Sequence, residues 1–373
     1  MLNGRISIEP RLEPSRLWQA LALLLAVGVS VVICALLLNV AGANVLEAFQ
    51  AIYKGAFGSQ RAMLKTLTKA TPLILTGVAV CVAFRAQIWN IGAEGQLFMG
   101  GIISYWAYTF LQGSPAVILI PSIFLAAMVG GGLYGGLAGY LKVKFEVNEV
   151  LSTVLLNYIT TYLLSFLLFR GPWRDPSSFY QQSSKVVEAA RLPILVEGSR
   201  LHLGFLVALL MAVVVYILIH RTSLGYEIRA VGLNPKASRF KGIHVKRTIL
   251  AVMLISGAVA GLAGAGELFG LHLRLKPDIS TGFGFTGIII AMLAGLNPLA
   301  VVVVAIVFGG LMNGGITMQV LTGVPTALIA AMEGIVLLCF LASAVLTRFR
   351  IKIVPQAKRL DPHTCQYPVD GES

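Results

Sequence analysis

The stretch LWQALALLLAVGVSVVICALLLNV, residues 17–40, decides the class of fold. It contains 24 residues and no charged side chain. As a helix it would be about 36 Å long at ~1.5 Å per residue, which exceeds the roughly 30 Å hydrocarbon core of a bilayer. It is also much longer than the apolar part of a signal peptide, which has about 7 to 15 residues. The sequence therefore predicts an uncleaved membrane-spanning helix here.

The composition of the whole chain agrees with a membrane protein. Of its 373 residues, 57% are hydrophobic and 12% are charged, and the mean hydropathy is +0.83. Soluble domains carry about 25% charged residues. The net charge of +13 does not indicate nucleic-acid binding, because the basic residues lie mostly in short connections between apolar runs, where they set membrane orientation.

Nine further apolar runs follow the first one. They lie at about residues 71–84, 97–112, 115–140, 150–169, 204–219, 248–270, 283–297, 298–319 and 322–346. Together the runs predict an all-α polytopic membrane protein with about ten transmembrane helices and a membrane domain over residues 17–346.

The distribution of Lys and Arg predicts the orientation. With both termini in the cytoplasm, 17 of the 29 basic residues lie on the cytoplasmic side. They fall in the N-terminal segment 1–16, the turn at 142–144, the loop 220–247 and the tail 347–373, which from Val354 onwards we expect to have little structure. Another 11 lie in the predicted external segments 41–70, 170–203 and 271–282, and long external loops carry less weight in this rule.

No catalytic or metal site is predicted. Three cysteines, Cys34, Cys81 and Cys339, lie inside apolar runs and Cys365 lies in the tail, so none has metal or redox spacing. Clustered histidines and paired carboxylates are also missing from the sequence. An enzyme is therefore disfavoured.

An internal similarity links the two halves of the chain. The segment GLYGGLAGYLKVKFEVNEVLSTVLL from Gly132 is similar to GLMNGGITMQVLTGVPTALIAAMEG from Gly310. Each has a glycine-rich helix end, a short break and another apolar helix. The first break carries Lys142 and Lys144, whereas the second, around 322–325, carries no basic residue. The two copies should therefore face opposite sides, as in the inverted repeats of many transporters.

The segment NIGAEGQ, residues 90–96, places polar groups between two apolar runs. Gln87, Asn90 and Glu94 are spaced by three and four residues, so on one helix they would form a polar stripe with Gln96 close by. Two glycines in the segment favour an interrupted or re-entrant helix, which is tolerated at membrane depth only inside protein or along a cavity. The pattern predicts a translocation pathway lined by Gln87, Asn90, Glu94 and Gln96.

Glu94 needs compensation inside a membrane. A charged residue there costs roughly 2.5–3.5 kcal/mol on insertion scales. One alternative is a structural lock, formed by an ion pair with Arg85 or by hydrogen bonds between helices. The other is contact with a polar substrate in transit. Glu267 and Asp278 are the candidate counterparts in the second half of the chain.

A short helix is predicted in the segment RAVGLNPKASRFKGI, residues 229–243. Asn234 is a good N-cap, Pro235 suits the first helical position, and Gly242 suits the left-handed residue after a helix from 235 to 241. A helix of about seven residues is marginal alone in water. It must therefore rest on a soluble partner protein, on the chain's own helices or on lipid headgroups.

Three segments resemble one family. SLGYEIRAVGLNPKASRFKGI from Ser223, FRAQIWNIGAEGQLFMGG from Phe84 and NEVLSTVLLNYI from Asn148 are similar to permease subunits of ABC importers of the type II architecture, in the nucleoside branch of the branched-chain amino acid and ribose permeases. The resemblance runs from about residue 60 to 346. It implies a coupling helix that contacts an ATPase subunit through Gly232, Asn234, Pro235, Lys236, Ala237, Arg239, Phe240, Lys241 and Gly242.

The resemblance also implies the partners. These are a cytoplasmic ATP-binding subunit, a second and related permease chain, and an external substrate-binding lipoprotein or periplasmic protein, all at a bacterial cytoplasmic (inner) membrane. ATP would bind the partner subunit, in agreement with the lack of a G-x-x-x-x-G-K-[ST] motif in the sequence. Alternatives are an ABC permease for another sugar or for branched-chain amino acids, and an ion-coupled secondary transporter.

Overall fold

The protein is a bundle of α-helices. The computed structural model describes residues 4–10 and 16–355, and helix is present at each of the ten predicted runs. The helices are α1 (Arg16–Val40), α2 (Val45–Phe57), α3 (Gln60–Arg85), α4 (Ala93–Leu111), α5 (Ala116–Phe145), α6 (Glu149–Phe169), α7 (Gly204–Arg221), α8 (Ser223–Leu233), α9 (Pro235–Phe240), α10 (Val245–Gly266), α11 (Phe283–Leu293), α12 (Pro298–Thr322) and α13 (Thr326–Arg348). A 3₁₀ turn covers Glu188–Ala190, and a π-helical turn, Glu267–His272, extends α10.

Ten independent crossings are not confirmed. In the described part of the chain six helices, α3, α5, α6, α7, α12 and α10 with its π-helical turn, are long and apolar enough to span a membrane. The count is seven if α1 and α2, which meet at a bend of 120°, form one broken span. The apolar helix α11 has only 11 residues, about 16 Å at ~1.5 Å per residue, so it cannot cross alone.

The segment 41–70, predicted as external loop, is instead largely helical. It contains α2 and the first part of α3. Helix α2 has a buried side of small residues, including Ala48, Ala51 and Gly55, while Glu47 and Gln50 are exposed. An amphipathic helix of 13 residues produces no long apolar run, which is why hydropathy does not reveal it.

Both ends of the bundle meet in a small sheet. Strand β1 (Gly4–Pro10) pairs antiparallel with β2 (Phe349–Pro355), with Gly4 opposite Pro355. The pairing places the start of α1 and the end of α13 at one end of the molecule, as expected for termini on the same side. The expectation of little structure from Val354 onwards is wrong for its first two residues, and the rest of it, with Cys365, lies outside the described residues.

Helix α10 lies at the centre and packs closely against α5. A Cβ atom on Gly257 would lie 2.2 Å from the carbonyl oxygen of Gly131, and one on Gly261 would lie 2.2 Å from that of Ala127. The backbones of the two helices are therefore in direct contact. Small residues at such spacing permit this approach between membrane helices.

Gly261→Ala is accordingly expected to destabilise the protein by about 1–3 kcal/mol, the usual cost of overpacking. The new methyl group would press against the backbone of α5, which cannot move aside as a side chain could. The thermal midpoint of the detergent-solubilised protein measures the effect. Gly28→Ala in α1 is the matched control, since no atom lies within 4 Å of its Cβ position. Equal midpoints for the two variants would contradict the assigned α5–α10 contact.

Corresponding helices of the predicted repeat pack in the same way. Gly77 of α3 meets Val301 of α12 while Gly309 of α12 meets Thr66 of α3, so these helices are antiparallel. The α5–α10 pair is antiparallel in the same way. The units α3–α6 and α10–α13 have the same order of helices. In each unit the second helix, α4 or α11, starts within the bundle, and two further helices follow it. The breaks after α5 and α12 contain left-handed residues, Glu146 and Gly323.

Candidate functional site

The candidate site is built around the break between α3 and α4. Helix α3 ends at Arg85 and α4 starts at Ala93 after Gly92. Asn90 in the break contacts Ser256 of α10, which lies about 16 Å along the axis from the start of α10 at Val245. Residues 86–92 therefore run from the end of α3 back into the interior, and α4 begins at that depth. The predicted interruption is confirmed.

Buried amides hold the break in place. The Asn90 side chain is fully buried, and it makes two hydrogen bonds of 3.1 Å with the Gln96 amide, each donating one. Asn90 Nδ2 also donates to Ser256 Oγ (2.9 Å), and that hydroxyl donates to the carbonyl of Ala79 (2.7 Å). These bonds join α3, α4 and α10. Each satisfies a polar group that would be costly to bury alone.

Asn157 of α6 supports the break from the other side. Its Oδ1 accepts from the N–H of Gly95 (2.8 Å), and its Nδ2 donates to the carbonyl of Ile91 (3.0 Å). A Cβ atom on Gly92 would lie 3.0 Å from Thr153 Cβ, so glycine is needed for this contact. The segments around 84–101 and 148–159, identified separately in the sequence, thus form one packed unit.

Glu94 lies where two helices begin. Its side chain is 6% exposed, and Oε2 accepts from the N–H of Gly284 in the first turn of α11 (2.6 Å). The Ser280 hydroxyl accepts from the N–H groups of Gly282 (3.2 Å) and Phe283 (3.1 Å) at the start of α11. A Cβ atom on Gly284 would lie 2.2 Å from the backbone nitrogen of Glu94, so the amino-terminal turns of α4 and α11 touch.

This junction explains how a buried carboxylate is tolerated. The amino end of a helix carries unpaired N–H groups and a positive partial charge, which stabilise an anion. Helices that begin at membrane depth and direct these ends at a common point are also typical of transporter sites. The arrangement can hold a carboxylate without a basic partner.

The predicted polar stripe is wrong for Gln87, and so is the alternative of an Arg85–Glu94 ion pair. Gln87 is exposed and has a left-handed φ of +57°, so it does not share a helix face with Asn90 and Glu94. Arg85 does not pair with Glu94. Its guanidinium donates to the carbonyls of Leu296 (3.1 Å) and Gly295 (3.5 Å), after the end of α11. The alternative of a hydrogen-bond lock between helices agrees with the geometry.

The second-half candidates lie apart from Glu94. Glu267 is 2% exposed and lies in the π-helical turn with Oε2 3.5 Å from His272 Nε2. Asp278 is exposed in the connection before α11. Among the described residues no hydrogen bond or ion pair joins either carboxylate to Glu94. Of the predicted pathway residues, Asn90 and Gln96 are joined by hydrogen bonds, while Glu94, in the same turn of α4 as Gln96, is directed at α11.

Some residues of the junction were not predicted. They are Asn157, Ser256, Ser280 and Gly284. A polar residue inside an apolar run is a signal that could have indicated Asn157 and Ser256. No local pattern could indicate Gly284, because its role is to let another backbone approach.

The short helix has the predicted local structure. Helix α9 covers Pro235–Phe240, one residue less than expected, and Asn234 Oδ1 accepts from the N–H of Ala237 (3.0 Å). Gly242 has a left-handed φ of +83°. Ala237 is exposed and Phe240 is 93% exposed, so this face does not rest on the chain's own helices. The side chains of Lys236, Arg239 and Lys241 are exposed as well.

The loop 170–203 is folded onto the opposite end of the bundle. Trp173 packs against Tyr105 of α4 with ring centroids 5.0 Å apart, and Asp175 pairs with Arg274 (2.7 Å). The hydrogen bond from Ser177, with the Arg274 guanidinium, holds the pKa of Asp175 below its usual range. Phe179 at the tip of the loop is fully exposed.

Comparisons with known proteins agree with these features. Residues 62–341 match the family model described as the permease component of the branched-chain amino acid transport system. A guanosine ABC transporter permease protein, NupP of Bacillus subtilis (strain 168), is 38% identical over 90% of this chain and 96% of its own length. The glucose ABC transporter permease protein TsgB13 of Haloferax volcanii is 33% identical over 93% and 95%. A second guanosine permease of Bacillus subtilis, NupQ, is 26% identical over 65% and 78%.

Proposed function

Because this chain belongs to the permease family of the branched-chain amino acid transport system, we propose that it is the membrane subunit of an ABC importer that moves nucleosides into the cell. The chain is a multi-pass membrane transport subunit and not an enzyme. The proposal extends to the substrate, the partners and the location in a bacterial cytoplasmic membrane with both termini inside.

The exposed face of α9 is the observation that carries the proposal. Phe240 is 93% exposed on a six-residue helix whose cap residues are in place. Such a helix needs a partner surface, and an ATP-binding subunit at the cytoplasmic face would supply one. ATP binds that subunit, and the closure of the ATPase dimer reaches the membrane helices through α9.

A nucleoside is the favoured substrate class. The permease that is 38% identical is named for guanosine, whereas the one named for glucose is 33% identical. A simple sugar is therefore the second candidate, and branched-chain amino acids are a third because of the family description. Two permeases named for guanosine in one organism, both similar to this chain, support a pair of related membrane subunits in one transporter.

The proposed pathway passes the junction of α4 and α11. Asn90, Glu94 and Gln96 supply donors and acceptors suited to hydroxyl groups and ring nitrogens. Glu94 is 6% exposed, so access requires the amino-terminal turns of α4 and α11 to separate. A substrate hydroxyl or N–H could then replace the Gly284 N–H as the partner of the carboxylate. Gln87, Glu267 and Asp278 remain proposed pathway residues at the two ends.

An external substrate-binding protein would dock at the loop 170–203. Phe179 and Tyr180 are exposed there, and the base of the loop is fixed to the bundle by Arg274. Exposed aromatic residues on a fixed base are suited to protein contact.

The expected result in proteoliposomes is ATP-dependent uptake of radiolabelled guanosine. The assay uses the chain with its partner permease, ATPase and binding protein, and compares guanosine with glucose and leucine. Preferential uptake of glucose or leucine would contradict the nucleoside assignment. Uptake that continues without ATP while an ion gradient is held would instead support a secondary transporter.

A further inference from the structure

Helix α11 is held at both ends by one short segment of the chain. At its amino end Gly284 N–H donates to Glu94 Oε2 (2.6 Å). Just beyond its carboxyl end the carbonyls of Leu296 and Gly295 accept from Arg85 (3.1 and 3.5 Å). Residues 85–94 therefore run alongside α11 and fasten both of its ends.

The charges at the two ends match the dipole of the helix. A carboxylate is favourable at the positive amino end and a guanidinium at the negative carboxyl end. This explains why Arg85 and Glu94 do not pair with each other: each has a partner at a different end of α11. The helix is about 16 Å long at ~1.5 Å per residue, so Arg85 and Glu94 are held at points about that far apart.

The turn after α11 has an unusual backbone. Gly295 and Leu296 have φ values of +62° and +59°, and leucine rarely adopts this left-handed conformation. Arg85 donates to the carbonyl groups of both residues. The Arg85 guanidinium thus stabilises a turn in which Leu296 has a left-handed conformation that leucine does not favour.

The carboxyl end of α3 also contacts the segment that carries α9. A Cβ atom on Gly232 of α8 would lie 2.1 Å from the carbonyl oxygen of Arg85 and 3.2 Å from the Cα of Ala86. Backbone meets backbone here, with no flexible side chain between them. A displacement of α8 and α9 would therefore be passed to Arg85 directly.

We propose that Arg85 is a positioning residue that transmits movement of α8 and α9 through α11 to Glu94. Helix α11 moves as a rigid body. Arg85 holds its carboxyl end, near α8 and α9, and Glu94 holds its amino end, at the junction with α4. The inference rests on the proposed function, because it assigns the route from the ATPase contact to the pathway. It predicts that the charge at position 85 is needed for coupling and not for ATP hydrolysis.

Arg85→Gln in the complete reconstituted transporter tests this. In the wild-type complex we expect ATP and vanadate to change the rate of amide hydrogen exchange in the peptides that cover α11. In Arg85→Gln that change should disappear, guanosine uptake should fall at least about tenfold, and ATP hydrolysis should stay within about twofold of wild type. Arg61→Gln is the matched control, since Arg61 is exposed at the opposite end of α3.

A charge series separates transmission from a merely structural role. Arg85→Lys should retain most of the exchange response and uptake, Arg85→Gln little, and Arg85→Glu none. If Arg85→Gln does not assemble, the comparison of Arg85→Lys with wild type still tests the proposal, because a retained positive charge should preserve the change in hydrogen exchange of α11.

Loss of uptake with an unchanged exchange response of α11, or equal exchange responses in all variants, would overturn the proposal. If the wild-type complex shows no ATP-driven uptake, the proposed function fails instead, whereas exchange in α11 without ATP still reports whether Arg85 fastens the helix.

Discussion

Replacing Glu94 with alanine is expected to reduce ATP-driven uptake roughly 100-fold, to background, while the protein still inserts into the membrane. The substitution removes the acceptor of the buried Gly284 N–H, which costs about 1–3 kcal/mol, and it also removes the charge between two helix amino ends. Insertion should persist because the apolar helices that direct it are unchanged. Uptake of guanosine in proteoliposomes and the amount of protein in the membrane measure the two effects.

Two further variants show which property of Glu94 matters. Glu94→Gln keeps an acceptor for the Gly284 N–H but lacks the charge, and we expect an intermediate loss of about tenfold, or ~1.4 kcal/mol. Glu333→Gln in α13 is the matched control, because Glu333 is a partly buried carboxylate outside the junction. Wild-type uptake by Glu94→Ala would rule out the pathway at α4 and α11.

Replacing Phe240 with glutamate is expected to release the ATPase subunit and to abolish ATP-driven uptake. The side chain is 93% exposed, so the fold of this chain should not change. A buried aromatic anchor at an interface is commonly worth about 2 kcal/mol or more, which is a loss of roughly 30-fold in affinity. Copurification of the ATPase with the tagged permease measures the effect.

Phe179→Glu is the matched control for this experiment. Phe179 is equally exposed, but it lies on the loop 170–203 at the other end of the bundle. This variant should retain the ATPase and lose stimulation by the external binding protein. If Phe240→Glu copurifies with as much ATPase as the wild type, α9 is not the contact.

The sequence was most informative where structure depends on near neighbours. The cap of α9 joins Asn234 to Ala237, only three residues away. An asparagine followed by a proline is therefore enough to predict where this helix begins. The interruption near Gly92 and the apolar runs are local in the same sense. Helix α2 was missed because an amphipathic helix that packs on its neighbours has no hydropathy signal of its own.

Partner choice in the candidate site depended on the tertiary structure. From the sequence, the candidate ion-pair partner of Glu94 was Arg85, nine positions away. The structure instead joins Glu94 to Gly284, 190 residues away, and Arg85 to Leu296, 211 residues away. Only the packing of α11 against α3 and α4 brings these groups together.

Residue types along the chain were enough to predict a helical membrane protein, the positions of its long apolar helices and a short capped helix near residues 235–241. Hydropathy and helix caps act over a few residues, so they can be read along the chain. Only the packing of the helices shows that the first turns of α4 and α11 meet and that the Gly284 N–H is the partner of the Glu94 carboxylate. A helix amino end becomes a binding partner only when the fold places it against the charge, and no spacing in the sequence records that distance.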